Sequence, residues 1–498
     1  MNTMKGVYRM VDNQKTVVLI QPPASFQLQG NSVLYTQFDS MGLLALAQFM
    51  KSEGYRCRII NIARGLEIGY QPRELFQEIT DSDPLLFGIS MNWLHLSQGA
   101  LETAMILKKK YPGLPIVTGG QHASIFAREI MAGYHHYIDG VVVGEGEETL
   151  LEVAARTAGH QSLHSTPGLM TYQEGNIHFT QRKIHLAADN LPLLSYDGVF
   201  PPPGPLDRSS YYAALHTTRG GCRKNCNYCL ESCSMGTFGR EKPVCLPIDH
   251  LVEQVKYYIE QGRSWITIQD QFCTHGDGPA LELFEALIRQ EIRLDHLSIF
   301  LEPGCYSREV YDLMEKLPAN ELVVSFGIET GSPKVARNLH RYHDYDRIFR
   351  EMEYLATKPF ACSSWWMVGL PEEGPAEIES TRQMILETMQ MGILPQGITP
   401  LILFPQTGLA KEGSRFGIRQ ILNSFDDFKR FSLTVRNQYA VYPGLITHES
   451  ERQPAADTLA YLAGLKQFVE KNNSLVEAKN KGKIGGFSFG RFRKSSFF

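Results

Sequence analysis

Residues 217–229 read TTRGGCRKNCNYC and place Cys222, Cys226 and Cys229 at the spacing C-x3-C-x2-C. Three thiolates on one tight loop can hold three irons of a [4Fe–4S] cube and leave the fourth iron open. An open iron can bind a small molecule, so such a cluster acts as a reagent as well as an electron carrier. The stretch therefore predicts an iron–sulfur site near the middle of the chain.

A zinc site is the alternative interpretation of the same cysteines. Structural zinc takes four ligands, usually from two paired knuckles. Cys233 follows Cys229 by four residues and could complete a set of four, but no second knuckle of Cys or His pairs follows at finger spacing. We expect Cys233 to be a neighbouring thiol rather than a ligand.

The length and the composition bound the class of protein. A chain of 498 residues is too long for one hydrophobic core, so two or three domains are expected. The cysteines outside the central loop are scattered, unlike a disulfide framework, which indicates the reducing cytoplasm. No apolar run reaches the roughly 18 residues of a membrane span, and the N-terminus lacks a signal-peptide core. We therefore expect a cytoplasmic protein without a membrane span.

Charge is distributed unevenly along the chain. The net charge is −4, but residues 479–498 carry six basic residues, no acidic residue and five phenylalanines. A basic aromatic tail can contact nucleic acid or a membrane surface, whereas most such ends dock on their own domain or are disordered. We do not expect nucleic acid to be a partner.

Residues 1–158 predict an α/β domain with a doubly wound, Rossmann-like parallel sheet. Apolar runs of strand length at 17–20, 56–62, 85–90, 115–118 and 137–143 alternate with helical stretches. Ligands of such sheets bind at the carboxyl ends of the strands, where glycines and small polar residues stand in this sequence.

A second alternation follows a connecting region. Residues 159–208 predict a hairpin and then a stiff proline-rich linker that contains the run 201–205. Residues 209–410 contain six strand–helix units, with strands expected at 212–217, 265–269, 297–301, 322–328, 363–368 and 398–403. This pattern predicts a partial (β/α)6 barrel with its chemistry at the carboxyl strand ends. Residues 411–478 predict a helical C-terminal region.

The central loop, with Tyr228 before its third cysteine, resembles the radical SAM superfamily. The resemblance implies that the amino and carboxylate groups of S-adenosylmethionine chelate the open iron, and that one electron cleaves its sulfonium to a 5′-deoxyadenosyl radical. It also implies that Cys222, Cys226 and Cys229 are catalytic cluster ligands and that Tyr228 packs near the adenine. An external donor of the flavodoxin or ferredoxin type would supply the electron.

Three later strand ends extend the resemblance and imply further contacts with S-adenosylmethionine. The phrase 269–272, QDQF, puts Asp270 where the methionine amino group binds, but Gln271 stands where an acid is more usual. The phrase 326–332, FGIETGS, contains Gly327 and Glu329 and is similar to the G-I-E-T-G-S phrase of cobalamin-type members. Gly369, in the G-L-P phrase, would leave room for adenine. Glu302, at the third strand end, is a candidate substrate contact.

The first domain resembles the cobalamin-binding domain that is fused to many radical SAM enzymes. The phrases that carry this resemblance are QPP at 21–23, GISM at 88–91, GGQH at 119–122 and GEGE at 144–147. The alternative is a doubly wound domain whose glycines only turn corners. The residues that the resemblance implies as cobalamin contacts are Ser90, Met91, Gly119, Gly120, Gly144, Glu145 and Gly146.

One departure concerns the cobalt ligand. Related domains carry D-x-H-x-x-G after the first strand, and its histidine ligates cobalt, but residues 21–26 read QPPASF here. The lower axial site would then be filled otherwise or left empty. His95 and His122 lie in other loops of the binding side and not at the expected place.

The resemblance covers residues 15 to about 410 and implies a cobalamin-dependent radical enzyme, most simply one that methylates an unactivated carbon or phosphorus of a small molecule or natural-product intermediate. Radical cyclisation or ring rearrangement without methyl transfer uses the same cofactors. RNA methylthiolation requires a second three-cysteine set in the N-terminal domain, where Cys57 stands alone. A non-catalytic corrinoid carrier would not need the three cysteines of the central loop.

Overall fold

The computed structural model of the chain describes residues 15–27, 40–182, 186–202, 212–233, 242–268, 272–434, 444 and 446–480. Two predicted contacts, Asp270 and Gln271, lie outside the described residues, and so does the tail from 481 onward. The chain divides into two compact units. The first comprises residues 1–210, 236–241 and 423–438, and the second comprises residues 211–235, 242–422 and 439–498.

The first unit is built on one sheet of eight strands. In chain order these are Thr16–Gln21 (β1), Arg56–Asn61 (β2), Pro84–Ser90 (β3), Ile116–Gly119 (β4), Gly140–Val142 (β5), Leu169–Gln173 (β6), Asn176–Phe179 (β7) and Val199–Phe200 (β8). Its helices up to residue 158 are Met41–Ser52 (α1), Ile62–Glu67 (α2), Pro72–Asp81 (α3), Ser97–Lys110 (α4), Gln121–Ile125 (α5), Ala127–Tyr134 (α6) and Glu147–Ala158 (α7).

The strand order is β7-β6-β5-β4-β3-β1-β2-β8, and β1 to β5 pair in parallel. Every residue of β1 and of β3 is buried, as expected for central strands with helices on both faces. The predicted doubly wound α/β fold is confirmed. Its carboxyl strand edge gathers the loops after β1, β3, β4 and β5.

In the described residues up to 202, the connecting region does not form a separate spacer, and residues 203–208 of the predicted proline-rich linker lie outside the described residues. The predicted hairpin is present as β6 and β7, but β6 pairs antiparallel with β5 and so extends the sheet. At the opposite edge Val199 and Phe200 pair in parallel with β2. The sequence pattern could not show this, because short edge strands carry little periodicity of their own.

The second unit has a main sheet of six strands and two short ribbons. The strands are Tyr212–Ala214 (β9), Thr218–Arg219 (β10), Val244–Cys245 (β11), Trp265–Ile268 (β12), Leu294–Leu301 (β13), Ala319–Glu329 (β14), Ala361–Val368 (β15), Leu394–Pro400 (β16), Ile418–Gln420 (β17) and His448–Ser450 (β18). The helices that follow residue 240 are Ile248–Glu260 (α8), Asp277–Arg289 (α9), Arg308–Met314 (α10), Pro333–Asn338 (α11), Tyr345–Ala356 (α12), Pro375–Met391 (α13), Gly408–Lys411 (α14), Phe425–Thr434 (α15), Ala455–Lys471 (α16) and Asn473–Asn480 (α17).

The six main strands lie in the order β16-β15-β14-β13-β12-β9, all parallel and in sequence order. This is the predicted open barrel of strand–helix units. The sixth strand, predicted at 398–403, runs from Leu394 to Pro400 and so begins four residues earlier. Pro395 and Gly397 are tolerated in it because β16 is an edge strand of the sheet.

Helix α15 belongs to the first unit although the chain on both sides of residues 423–438 belongs to the second. The amide of Phe425 donates to Glu129 Oε2 at 2.6 Å. The rings of Phe425 and Phe428 pack on Phe126 with centroid distances of 6.0 and 5.5 Å. A helix remote in sequence thus completes the core of the first unit.

Among the described helices, none combines the length and the apolar character that a membrane span requires.

The contact between α4 and the loop after β1 generates a stability prediction. A Cβ on Gly99 would lie 1.9 Å from the carbonyl oxygen of Pro23. Gly99→Ala should therefore lower the free energy of unfolding by about 1–3 kcal/mol through overpacking, although alanine is the better helix former. Gly133 in α6 is the matched control, since a Cβ there meets no atom within 4 Å. Gly133→Ala should stabilise by about 0.5 kcal/mol.

Denaturant unfolding, with hydrogen exchange of peptides from residues 15–182 to assign the transition, measures both variants. A Gly99→Ala protein as stable as Gly133→Ala would contradict the contact.

Candidate functional site

The three cysteines of the central loop lie together in the second unit. Cys222 and Cys226 are buried, and Cys229 is partly exposed. The amide of Lys224 donates to Cys222 Sγ at 3.3 Å. Burial raises the pKa of Cys222 to about 11 and that of Cys229 to about 12. Both thiols therefore keep their protons at neutral pH until a metal displaces them.

Asn227 fastens this loop to two distant segments. Its backbone amide donates to the carbonyl of Leu339, and its carbonyl accepts from Leu409 at 2.8 Å. Its side-chain Nδ2 donates to the carbonyl of Asn338, also at 2.8 Å. The loop is consequently held by the end of α11 and the start of α14, which leaves its thiols in a defined arrangement.

The donor set fits a [4Fe–4S] cube with one open iron. A structural zinc ion takes four ligands, whereas such a cube takes one thiolate at each of three corners. The loop of Cys222, Cys226 and Cys229 supplies that number of thiolates.

Arg341 is the centre of a polar network beside the cluster loop. Its guanidinium donates from Nη1 to Tyr228 Oη at 3.1 Å and to Cys226 Sγ at 3.9 Å. Nη2 donates to Glu302 Oε2 at 2.7 Å and to the carbonyl of Gly327. The side chain is only 5% exposed, so its charge depends on these partners.

Glu329 ends β14 in a strained conformation that turns its carboxylate toward Arg341. Its φ is +70°, in the left-handed region, and the pairing of β14 with β15 shifts register there. Glu329 Oε1 lies 3.8 Å from Arg341 Nη1 and accepts from Tyr228 Oη at 3.3 Å. A Cβ on Gly327 would lie 2.9 Å from that same oxygen, so the glycine makes room for the carboxylate.

Electrostatics in this network follow from burial and from the shared cation. Burial raises the pKa of the Glu329 carboxyl, and Glu302 raises it further, while Arg341 and the Tyr228 hydrogen bond act in the opposite direction. Burial and Arg341 together lower the pKa of His343 to about 3. The neutral imidazole can therefore accept the Nε hydrogen of Arg341, at 3.2 Å from His343 Nε2.

A buried carboxylate, that of Glu373, holds the backbone of the loop that contains Gly369. Glu373 Oε2 accepts from the amides of Gly369 and Leu370 at 2.8 and 3.3 Å, and from Gln453 Nε2 at 3.1 Å. His448 Nε2 lies 2.7 Å from the carbonyl oxygen of Gly369 and is the donor of that bond. Gly369 has a φ of +81°, so the predicted adenine loop has a backbone that favours glycine.

In the first unit, the predicted cobalamin residues come together at the carboxyl edge of the sheet. Ser90 ends β3 and Gly119 ends β4, and the amide of Met91 donates to the carbonyl of Gly119 at 2.8 Å. The amide of Gly144 donates to Ser124 Oγ at 3.0 Å. The loops after three neighbouring strands are therefore linked, and Glu145 and Gly146 follow directly in the third.

Asn92 joins two of these loops. Asn92 Oδ1 accepts from the backbone amide of Gln121 at 3.0 Å, and the Asn92 carbonyl accepts from the backbone amide of His122 at 3.3 Å. Gly120 has a φ of +108°, and a Cβ there would lie 2.7 Å from Asn92 Cα. Gly120 is thus needed for the approach of the neighbouring loop, a reason different from the ligand contact that the sequence suggested.

His122 is 2% exposed and lies beneath Phe126, Phe425 and Phe428, with ring centroids 4.9 to 6.0 Å away. Burial lowers its pKa to about 3, and neither ring nitrogen has a hydrogen-bond partner among the described residues. The imidazole is therefore a neutral core group in this structure and is not presented at the strand edge.

Sequence reasoning missed Arg341, Glu373 and Asn92. Arg341 stands three residues after the end of α11, in a stretch with no strand end to draw attention to it. Glu373 follows the G-L-P phrase by two residues and Asn92 follows Met91 directly, so both lie just beyond a phrase that carries the resemblance. Glu373 could have been identified as an acidic residue close to a strand-end phrase.

Comparison with known families identifies both units. Residues 31–154 match the B12 binding domain, and residues 217–385 match the radical SAM superfamily. The chain therefore carries a B12-binding domain and a radical SAM domain, and the predicted resemblance is confirmed. These domains imply a [4Fe–4S] cluster, S-adenosylmethionine and cobalamin as cofactors.

Two relatives and two solved structures are similar to this chain. The chain is 24% identical over 370 residues to an uncharacterised methyltransferase of Pyrococcus horikoshii, covering 73% of this chain and 76% of that protein. It is 23% identical over 301 residues to tRNA-2-methylthio-N(6)-dimethylallyladenosine synthase of Thermodesulfovibrio yellowstonii, covering 59% of this chain and 61% of that enzyme, less than two thirds of its length.

The structure of the radical S-adenosylmethionine methyltransferase TsrM from Kitasatospora setae, with tryptophan substrate and a SAM analogue bound, matches with a TM-score of 0.66. The match covers 92% of this chain and 89% of that one at 14% identity. The same fold has been solved with cobalamin and a [4Fe–4S] cluster bound. At this identity the likeness establishes a shared fold.

The Arg341 network predicts a large loss of stability when its cation is removed. Arg341→Met leaves Glu302 and Glu329 as buried carboxylates without their cation, which should cost about 3–5 kcal/mol. The exposed Arg337→Met is the matched control and should change stability by less than about 0.5 kcal/mol. Adding Glu302→Gln and Glu329→Gln to Arg341→Met should recover part of the loss. Denaturant unfolding measures all variants, and equal stability of Arg341→Met and Arg337→Met would refute the network.

Glu373 predicts a pH-dependent stability of the second unit. Burial raises the pKa of Glu373 from 4.5 to about 7. The folded state therefore binds the proton more tightly, and its stability falls as pH rises from 4.5 through 7, by about 3 kcal/mol at most. Glu373→Gln removes this part of the profile, whereas exposed Glu353→Gln keeps the wild-type profile.

Denaturant unfolding at pH 5 and pH 8 gives the comparison. The prediction fails if the Glu373→Gln protein loses as much stability between the two pH values as the wild type does.

Proposed function

We propose that this protein is a cobalamin-dependent radical SAM methyltransferase that acts on an unactivated carbon, or on phosphorus, of a small molecule or natural-product intermediate. The observation that carries the proposal is the cluster loop held against the Arg341 network in a chain that also has a B12-binding domain. The similarity to the Pyrococcus horikoshii methyltransferase and to TsrM supports methyl transfer as the reaction.

When bound, the cluster with S-adenosylmethionine supplies a 5′-deoxyadenosyl radical, and cobalamin supplies the methyl group. The chain's own share is to hold these parts and to exclude water. Cys222, Cys226 and Cys229 would hold three irons. Each N–H of the Arg341 guanidinium already faces a protein partner. This cation would therefore act through its electrostatic field and by holding the Tyr228 and Glu329 side chains in position.

The remaining residues shape the surroundings of the cofactors. Tyr228 and Gly369 would line the adenine position, with the Gly369 amide fixed by Glu373. The linked loops of Ser90, Gly119 and Gly144 would form the corrinoid side. A small-molecule substrate and an external one-electron donor of the flavodoxin or ferredoxin type belong to the same proposal, as does a cytoplasmic location.

Two other outcomes use related chemistry. Radical cyclisation or ring rearrangement would need the same cofactors without methyl transfer. RNA methylthiolation is the activity named for the Thermodesulfovibrio yellowstonii relative. It is disfavoured here because residues 1–210 contain only Cys57, where a second cluster would need three cysteines.

Anaerobic assay of the reconstituted protein tests the proposal. With S-adenosylmethionine, hydroxocobalamin and a low-potential reductant, the wild type should release 5′-deoxyadenosine even without substrate, through uncoupled cleavage. Cys226→Ala should abolish this release, because two thiolates cannot hold the cluster in place, and Cys245→Ala should retain it. With candidate substrates, S-adenosylmethionine that carries a deuterated methyl group should transfer the label to the product.

The outcomes separate the alternatives. Substrate consumption with 5′-deoxyadenosine but without label in the product would indicate rearrangement. Retention of activity in Cys226→Ala would favour a corrinoid carrier and end the radical proposal.

A further inference from the structure

Two cysteines outside the cluster loop lie side by side in the second unit. Cys273 lies in the short helical turn Phe272–His275 that follows β12, and Cys305 lies in the loop that follows β13. Both are free of disulfide bonds, and β12 and β13 pair in parallel with Ile268 opposite Ile299. Two thiols from neighbouring strand ends thus lie at the face that carries the cluster loop, and both residues bond to Glu302.

The surrounding chain holds this pair in place. The amide of Glu302 donates to Cys273 Sγ at 3.4 Å, and the amide of Cys305 donates to the carbonyl of Glu302 at 3.2 Å. Arg347 Nη2 donates to the carbonyl of Gly304 at 2.8 Å, and Glu351 accepts the amide of that glycine. The loop 302–306 is therefore clamped from α12, which keeps Cys305 against Cys273.

The two thiols differ in access and in acidity. Cys273 is 4% exposed, whereas Cys305 is partly open to solvent. The neighbouring Cys273 lowers the pKa of Cys305, and Lys224 on the cluster loop acts in the same direction. Cys305 and burial both raise the pKa of Cys273. Cys305 is thus the thiol that a reagent from solvent meets as a nucleophile.

We propose that Cys273 and Cys305 form an oxidisable dithiol site, in which Cys305 attacks a low-molecular-weight disulfide and Cys273 resolves the product into an intramolecular disulfide. This site is separate from the cluster ligands and goes beyond the proposed methyl transfer.

The reaction balances with the disulfide reagent as the only oxidant. The Cys305 thiolate attacks one sulfur of oxidised glutathione, the reagent's S–S bond breaks, and one glutathione thiolate leaves. Cys273 then loses its proton and attacks Cys305 Sγ, which expels the second glutathione thiolate. The protein loses two electrons and two protons, and the reagent is reduced to two thiols.

The location gives the site a connection to the cluster. Glu302 contacts both cysteines through its main chain, while its carboxylate accepts from Arg341. A disulfide brings the two sulfur atoms to about 2 Å, which must draw the loop 302–306 toward the turn at 272–275. Oxidation of the pair would therefore move Glu302, whose carboxylate neutralises Arg341.

Peptide mapping of the anaerobically purified holoenzyme, its iron content checked before and after, tests the proposal. After treatment with oxidised glutathione and alkylation, the wild type should yield a disulfide-linked pair of peptides containing Cys273 and Cys305. Cys273→Ser should instead accumulate glutathione on Cys305, because the resolving thiol is missing. Cys305→Ser should leave Cys273 unmodified, because no exposed attacking thiol remains. Cys245→Ser is the matched control and should give the wild-type linkage.

Two results would overturn the proposal. One is alkylation of both Cys273 and Cys305 in the treated wild type, without the linked peptides. The other is glutathione on Cys273 in Cys305→Ser, which would reverse the assigned roles. Neither readout depends on methyl transfer or on radical formation, so failure of this site and failure of the proposed function are distinguishable.

Discussion

Neutralisation of one buried guanidinium is the constraint on which the functional face of the second unit depends. Arg341 lies where desolvation of a charge costs several kcal/mol, and it persists because carboxylates, a phenol, a carbonyl and an imidazole surround it. These partners come from β14, from the loop after β13, from the cluster loop and, for His343, from the segment between α11 and α12. Because one cation binds all of them, the positions of Cys226 and of the two strand ends are set together.

The first unit joins the loops at its strand edge without a buried cation. Its loops after β3 and β4 meet through Asn92 and through a glycine whose missing side chain lets the two backbones approach. The loop after β1 is tied to α4 instead, where the Glu102 carboxylate accepts from Ser25 Oγ and from the amide of Phe26. An edge lined largely by backbone groups suits a large cofactor that has many amide groups of its own.

How much of this structure could be predicted from the sequence depends on how far apart along the chain the interacting residues lie. The cluster loop was recognisable because its chemistry depends on the spacing of three cysteines within one short segment. The strands were recognisable because burial on both faces leaves continuous apolar runs. Arg341 could not be predicted in this way, since all of its partners except His343 lie 12 to 115 positions away along the chain. The same holds for α15, whose apolar face shows that it must be covered but not by which unit.

The placement of α15 also has a consequence for synthesis on the ribosome. The first unit cannot close over His122 and Phe126 until residues 425–434 have emerged, by which time nearly the whole radical SAM domain has been made. During that interval His122 and Phe126 of the nascent domain lack their packing contacts with α15. A gene fragment that stops at residue 210 would encode this domain with that face permanently bare, so the two units are separate in architecture but not as independently expressible pieces.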